Sequence, residues 1–497
     1  MPNYLAPGVY VEEVSSGSKP IEGVGTAVGA FIGFAEKGPV NEPVLVTNWT
    51  QFTQAFGGFV DGSYLAHSVY GYFLNGGGRA YVVRVGAEGP RGAVAQLPTG
   101  ADTPPLTLRA RAGVDAEISV AVEESTKDTF KLVVKKAGKV EETHENLSTR
   151  RGPGFVVTAL RQRSKLIEVE EQQAGKLAAP VTGTEVVLAH VDAAPAVSAR
   201  DYIGDAADRT GFAGLEAIDD VTMLCAPDLM AAHQRGLLDE DGVKAVQEAM
   251  IAHCELMSDR VAILDSPKGL NAQQVRKWRT DFAGYDSKYA TMYWPWVKVV
   301  DPLSGKTNEI PPSGHLAGVW ARSDATRGVH KAPANEQLRG VVALELAITK
   351  SEHDALNPIG LNCLRSFPGQ GIRVWGARTL SSDPEWRYLN VRRLFNYVEK
   401  SILQGTNWVV FEPNDPKLWD SVKRTITMFL RGVWRDGALF GRTPNESFYV
   451  KCDEENNPQE NRDNGILTVE IGIAPVKPAE FVVFRISQYA EGAGLEE

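Results

Sequence analysis

Four cysteines in 497 residues are too few, and too scattered, to staple this chain or hold a metal. Cys225, Cys254, Cys363 and Cys452 form no CxxC pair and read as reduced thiols of a cytosolic protein, so no zinc site is expected. A basic surplus is missing too. The formal net charge of -10 argues against a protein that coats nucleic acid, where cations supply the affinity, so any basic surface must be local. No stretch of about 18 apolar residues occurs, and no basic stretch followed by an apolar core, so neither a membrane span nor a secretion signal is expected. Synthesis and folding in the cytoplasm are. The chain has no internal repeat, which excludes solenoids and propellers. Signatures of nucleophilic or metal catalysis are equally scarce: no GxSxG occurs, and none of the eight histidines forms an HxxxH pair.

What is present is ordinary for a soluble globular protein, 43% hydrophobic and 23% charged residues. The length suits roughly two to four domains. Near the start, Val9, Tyr10, Val11, Glu12, Glu13 and Val14 have the β-branched and aromatic content of a strand, while residues 15–20 have the composition of a flexible linker. Nothing nearby can pair with that strand, so its hydrogen bonds must go elsewhere. Next, AVGAFIGFA, PVLVTN and AYVVRV predict strands, and WTQFTQAFGG and YLAHSVYGYFLNGGG predict helices ending in glycine. From 91 to 200 short strand-like runs rich in Thr, Val, Glu and Lys predict an all-β insertion.

Between 221 and 300 apolar strands alternate with amphipathic helices, the signature of a mostly parallel sheet covered by helices. VTMLCAPD, VAILDSP and YATMYWPWVKVVDP are its strands, and 241–257 and 271–283 its helices. In the last region LFNYVEKSI and 417–437 predict helices and NWVVFEP a strand. GILTVEIGIAP and AEFVVFRIS predict two closing strands. The expected class is α/β and α+β multidomain. Residues 1–20 form an arm and linker, 21–90 plus 201–350 a helix-covered mixed-sheet domain, 91–200 the β-rich insertion, and 351–497 a C-terminal α+β domain.

Three patterns hint at ligand chemistry. GVGTAVG (23–29) nearly matches a dinucleotide-binding loop but precedes its strand, which favours a flexible glycine lead-in. LSGKTN (303–308) has the GKT end of a phosphate loop without the leading glycine. Asp228, Asp265 and Asp301 each end a predicted strand beside a proline, an arrangement that could hold magnesium at one sheet edge; with Lys306 they define a phosphohydrolase alternative. Against it, Asp and Pro after a strand are common turn and cap formers.

The helix predicted at 417–437 carries a firmer signal. At 100° per residue Trp419, Val422, Ile426, Phe429 and Val433 fall within about 80°, an apolar stripe, and Lys417, Arg424, Arg431 and Arg435 fall within about 40° on the opposite side. Such a row is either a solvated face or a docking rail for an acidic partner.

The chain resembles the contractile tail sheath proteins of contractile-tailed phages and related bacterial contractile injection systems. PGVYVEEV, NGGGRAYVVRV, IDDVTMLCAPD, DRVAILDSP, PPSGHLAGVWARSDATRGVHKAPANEQLRGV and the long run LNPIGLNCLRSFPGQGIRVWGARTLSSDPEWRYLNVRRLFNYVEKSI carry the likeness. It implies a structural subunit and not an enzyme, with no cofactor. Copies of the chain stack as helical rings around an inner tube and, when a baseplate triggers, slide into a shorter, wider lattice without nucleotide hydrolysis. The implied partners are further copies of itself, the inner tube protein, and baseplate and terminator or cap proteins, with no nucleic acid and no direct membrane insertion. The particle is a phage tail or a tail-like injection device. By the same resemblance Val9, Tyr10, Val11, Glu12, Glu13 and Val14, with Phe481, Val482, Val483 and Phe484, weave neighbouring subunits into a shared sheet. Lys417, Arg424, Arg431 and Arg435 face the tube, and the insertion corresponds to the variable outer domain.

Overall fold

The computed structural model describes residues 20–86, 94–99, 106–111, 118–126, 129–150, 152, 154–169, 179–188, 197–302 and 305–485. The expected strand at 9–14 and nearly all of its linker lie outside them. The chain forms two compact units, one of residues 86–196 and one built from the chain on either side of that segment.

The larger unit is organised on an eight-stranded sheet. Its order is Gly371–Val374, Leu361–Phe367, Ala290–Trp294, Val261–Asp265, Met223–Cys225, Val28–Gly33, Arg79–Arg84, Val44–Val46. The six inner strands run parallel, and each outermost strand is antiparallel to its neighbour. Helices cover both faces, which is why the central strands are apolar at nearly every position and not alternating. The pleat sorts them into two cores. Ala30, Ile32, Leu224, Ala262, Leu264, Met292 and Trp294 point to one face, where Val243, Val246, Met250 and Cys254 of the helix Glu240–Met257 meet them. Phe31, Met223, Cys225, Val261, Ile263 and Tyr293 point to the other, against Val69 and Tyr72 of Leu65–Asn75 and Leu316, Val319 and Trp320 of Ser313–Arg327.

Several expectations change here. YATMYWPWVKVVDP is two strands, because Pro295 has no N–H to give a ladder. Val297–Val300 joins Thr307–Ile310 and Val341–Leu344 in a separate antiparallel sheet. The boundary at 350/351 cuts the central sheet, since Leu361–Phe367 pairs in parallel with Ala290–Trp294. NWVVFEP holds a 3-10 turn at Asn407–Val409 and no strand. GVGTAVG runs directly into the first sheet strand, which begins at Val28.

Beyond residue 380 the chain gathers its own core. Leu394 and Val398 of the helix Leu389–Gly405 pack with Leu418, Trp419, Val422, Ile426, Leu430 and Val433 of Pro416–Arg435. Asp415 caps the second helix by accepting from Leu418 N at 2.8 Å, and Pro416 occupies its first position. An antiparallel pair, Phe448–Lys451 with Glu470–Ile473, completes this α+β portion.

In the smaller unit one antiparallel sheet runs Glu185–Val187, Ile118–Thr126, Thr129–Lys136, Lys139–Leu147, and a second runs Val94–Leu97, Leu106–Ala110, Ile167–Val169. It is not all-β. Val156–Arg163 is a helix that buries Val156, Val157, Ala159 and Leu160, tertiary burial having overridden the strand preference of its valines.

Candidate functional site

The three aspartates do not form one site. Asp228 is fully buried in the first turn of the helix Asp228–Gln234, where its carboxylate accepts from Phe34 N (2.6 Å), Ser63 Oγ (2.8 Å), Leu65 N (3.3 Å) and Tyr64 N. Burial pushes this carboxyl up to about 6, against the pull of those four donors. Asp265, equally buried, accepts from Ser313 N (3.1 Å) and Ser313 Oγ (2.5 Å) and so caps the helix Ser313–Arg327. Burial raises it to about 7. Asp301 follows a strand of the other sheet and shares no edge with them. Two carboxylates already satisfied by protein donors have no lone pairs aimed at a common cation, and among the described residues no acidic, His or Cys cluster suits a metal.

A recess of about 550 Å³ lies near Ser63, Tyr64, His67, Asp301 and Glu309. Its two lysines, Lys268 and Lys298, both pair with Glu309 at 2.8 and 3.1 Å, and burial lowers His67. That arrangement neutralises charge within the recess and leaves no activated nucleophile.

The surface of the C-terminal portion is different. Lys417, Arg424, Arg431 and Arg435 are all exposed on Pro416–Arg435, opposite its buried stripe, and none pairs with a described carboxylate. Met428, 58% exposed, falls about 20° from Lys417 on the same wheel, at the edge of the cationic row. No described strand pairs with either outer edge of the Phe448–Lys451 and Glu470–Ile473 pair. Past it, residues 479–485 of the expected second closing strand do not fold back as a strand, and the rest of AEFVVFRIS lies outside the described residues. Phe481, Val482, Val483 and Phe484 stand 74%, 68%, 77% and 83% exposed, an apolar run with no partner within the described chain.

Residues 198–380 match the family model of the phage tail sheath protein central domain, and residues 381–488 that of the phage tail sheath C-terminal domain. The chain belongs to the phage tail sheath family. The tail sheath protein of Burkholderia phage BcepMu is 26% identical over 499 residues, covering 97% of this chain and 96% of that one. That of Vibrio phage KVP40 is 26% identical over 250 residues; the match covers 47% of this chain and 36% of that relative, about a third of its length. In fold the chain is similar to the PVC sheath complex of an extracellular contractile injection system in its contracted state, with TM-score 0.62 at 23% identity over 99% of each chain.

Against this sheath fold, sequence reasoning missed the groups that fix the roots of the two termini. Arg378 holds Glu480 by two hydrogen bonds, Nε at 2.9 Å and Nη2 at 2.6 Å, and Ser401 Oγ accepts from Val24 N at 3.1 Å. These pairs lie 102 and 377 residues apart, beyond any local pattern.

Proposed function

We propose that this chain is the structural subunit of a contractile sheath, polymerising as a helical tube around an inner tube and contracting to drive it through a target envelope without nucleotide hydrolysis. The observation that carries this reading is the exposed apolar run Phe481, Val482, Val483, Phe484, together with a two-stranded sheet whose outer edges no described strand pairs, in a chain of the sheath family. An exposed strand-forming segment and an unpaired sheet edge are the two halves of a strand-addition contact. Repeated head to tail between identical subunits with a rotation that does not close, such a contact generates an open helix. Val9, Tyr10, Val11, Glu12, Glu13 and Val14 form the matching N-terminal strand. Residues 15–20 span roughly 20 Å when extended, slack enough for rigid subunits to slide while the shared sheet stays bonded. Purified protein should form tubes with a regular helical striation in negative-stain micrographs; a monomer under all conditions would refute the assignment.

The inner-tube contact is the cationic row of Lys417, Arg424, Arg431 and Arg435. Exposed pairs worth about 0 to 1 kcal/mol each give an attachment that releases when the sheath expands. Because these side chains are unpaired within the described chain, reversing Arg424, Arg431 and Arg435 to Glu should leave the melting temperature unchanged and abolish co-assembly with the tube. Wild-type tube binding should also weaken as salt rises. Tube association unchanged by the reversal would remove this face from the interface. Baseplate and terminator or cap proteins are the further partners.

A further inference from the structure

Near both ends of the described chain, residues 21–26 and 476–480 are fastened to the same helix. Leu389–Gly405 is 17 residues, about 25 Å long. Its beginning holds the C-terminal root. Tyr388, the residue capping the helix, donates its hydroxyl to Glu480 Oε2 at 3.3 Å, and Asn390 Nδ2 donates to Val476 O at 3.1 Å. Arg378 and Asn357 complete the grip on Glu480, Asn357 Nδ2 reaching Oε1 at 2.9 Å. Burial tends to raise this carboxyl, but the Arg378 and Asn357 hydrogen bonds and the Arg378 charge hold it below the usual range. Immediately beyond Glu480 the exposed run begins.

The other end of the helix holds the N-terminal root. Val24 N donates to Ser401 Oγ. A Cβ on Gly23 would sit 2.1 Å from Tyr397 Oη, and one on Gly405 2.6 Å from Ile21 Cγ1, so the strap lies in contact with the helix surface. At its inner end Thr26 Oγ1 donates to Asp324 Oδ2 at 2.6 Å, and Arg393 Nη2 donates to Thr26 O at 3.0 Å. Arg393 also makes a buried bidentate pair with Asp324, at 2.9 and 2.5 Å. Arg393 therefore seats helix and strap together.

We propose that Leu389–Gly405 is a tie-bar: it takes the pull of one neighbouring subunit at the Ile21–Thr26 strap and passes it to the other neighbour at the Glu480 clamp. This rests on the reading of the two termini as intersubunit strands. Load entering at one root can reach the other along this single hydrogen-bonded helix, alongside the path through the eight-stranded sheet, which the strap enters at Val28 and Arg378 joins at Asn362. The clamps also set the working length of each arm. If Glu480 is released the root retreats to Val476, adding about 13 Å of slack.

The test uses full-length protein. Glu480→Gln and Gly23→Ala should each still form tubes, with an axial repeat distributed about twofold more broadly than wild type. The double variant should be no broader than the worse single one, because slack at either end of a series element unloads it. Asn357→Ala and Ser401→Ala, each removing one clamp hydrogen bond, give the same comparison if a stronger variant unfolds. Repeats indistinguishable from wild type, or broadening that sums in the double variant, would overturn the tie-bar. If a chain ending at Glu480 still forms tubes, it is the intersubunit reading that fails. A chain ending at Glu480 that stays monomeric, with clamp variants that lose their regular repeat, supports both.

Discussion

A chain cut after Glu480 is expected to remain folded and to lose polymerisation. Among the described residues the fold has little at stake in the removed segment: Phe481, Val482, Val483 and Phe484 are 68–83% exposed, and the last side-chain hydrogen bonds on the C-terminal side are those of the Glu480 clamp. The assembly has much at stake. Burying four such side chains between subunits is worth roughly 1.5 to 3 kcal/mol each, and each main-chain bond of an added strand contributes about 1 kcal/mol. Even with ordering costs, a loss of about 6 kcal/mol of contact raises the concentration needed for growth by a factor on the order of 10⁴. Sedimentation and micrographs at the wild-type polymerising concentration are the measurement, with circular dichroism to show the fold intact. Removal of residues 1–18 should do the same through the other strand. Regular tubes from either shortened chain would mean that subunits are joined elsewhere.

What could be read in the sequence divides by range. The helices Glu240–Met257 and Pro416–Arg435 and the strand Val261–Asp265 were legible because periodicity and burial are local properties. So was the cationic row, since a helix fixes which residues share a face. Ser313–Arg327 was not, although it supplies Leu316, Val319 and Trp320 to the core. It is buried nearly all round along SGHLAGVW and so shows no polar face to betray its period. The strand-end aspartates misled for a related reason. Residue type and position told that each mattered, but only the fold shows that Asp228 binds backbone, Asp265 caps a helix and Asp301 belongs to another sheet. The clamps were invisible because the groups they join, Arg378 with Glu480 and Val24 with Ser401, lie 102 and 377 residues apart.

Those two buried aspartates should respond oppositely to the same substitution. Asp228 faces only donors, three backbone N–H groups and one hydroxyl, so in Asp228→Asn either amide rotamer sets an NH₂ against an N–H. A buried clash of donors costs about 2 to 3 kcal/mol, and it would loosen the turn at 63–65 from the strand Val28–Gly33; melting should fall by several degrees at neutral pH. Asp265→Asn loses less, because Ser313 Oγ can turn and accept where it now donates. It should also remove a pH dependence. With the Asp265 carboxyl near 7 in the fold and near the usual 3.9 when unfolded, the native state binds the extra proton between those values. The Asp265 contribution to stability therefore rises as pH falls from about 7 toward 4, by as much as on the order of 3 kcal/mol, and is lost again as pH climbs through 7. Asp265→Asn should match or exceed wild type at pH 8 and fall behind it at pH 5, melts being compared in the chain ending at Glu480 to keep assembly out of the readout. If its profile runs parallel to wild type, the proton sits on another group. If Asp228→Asn melts with wild type at neutral pH, the donors around Asp228 are satisfied some other way.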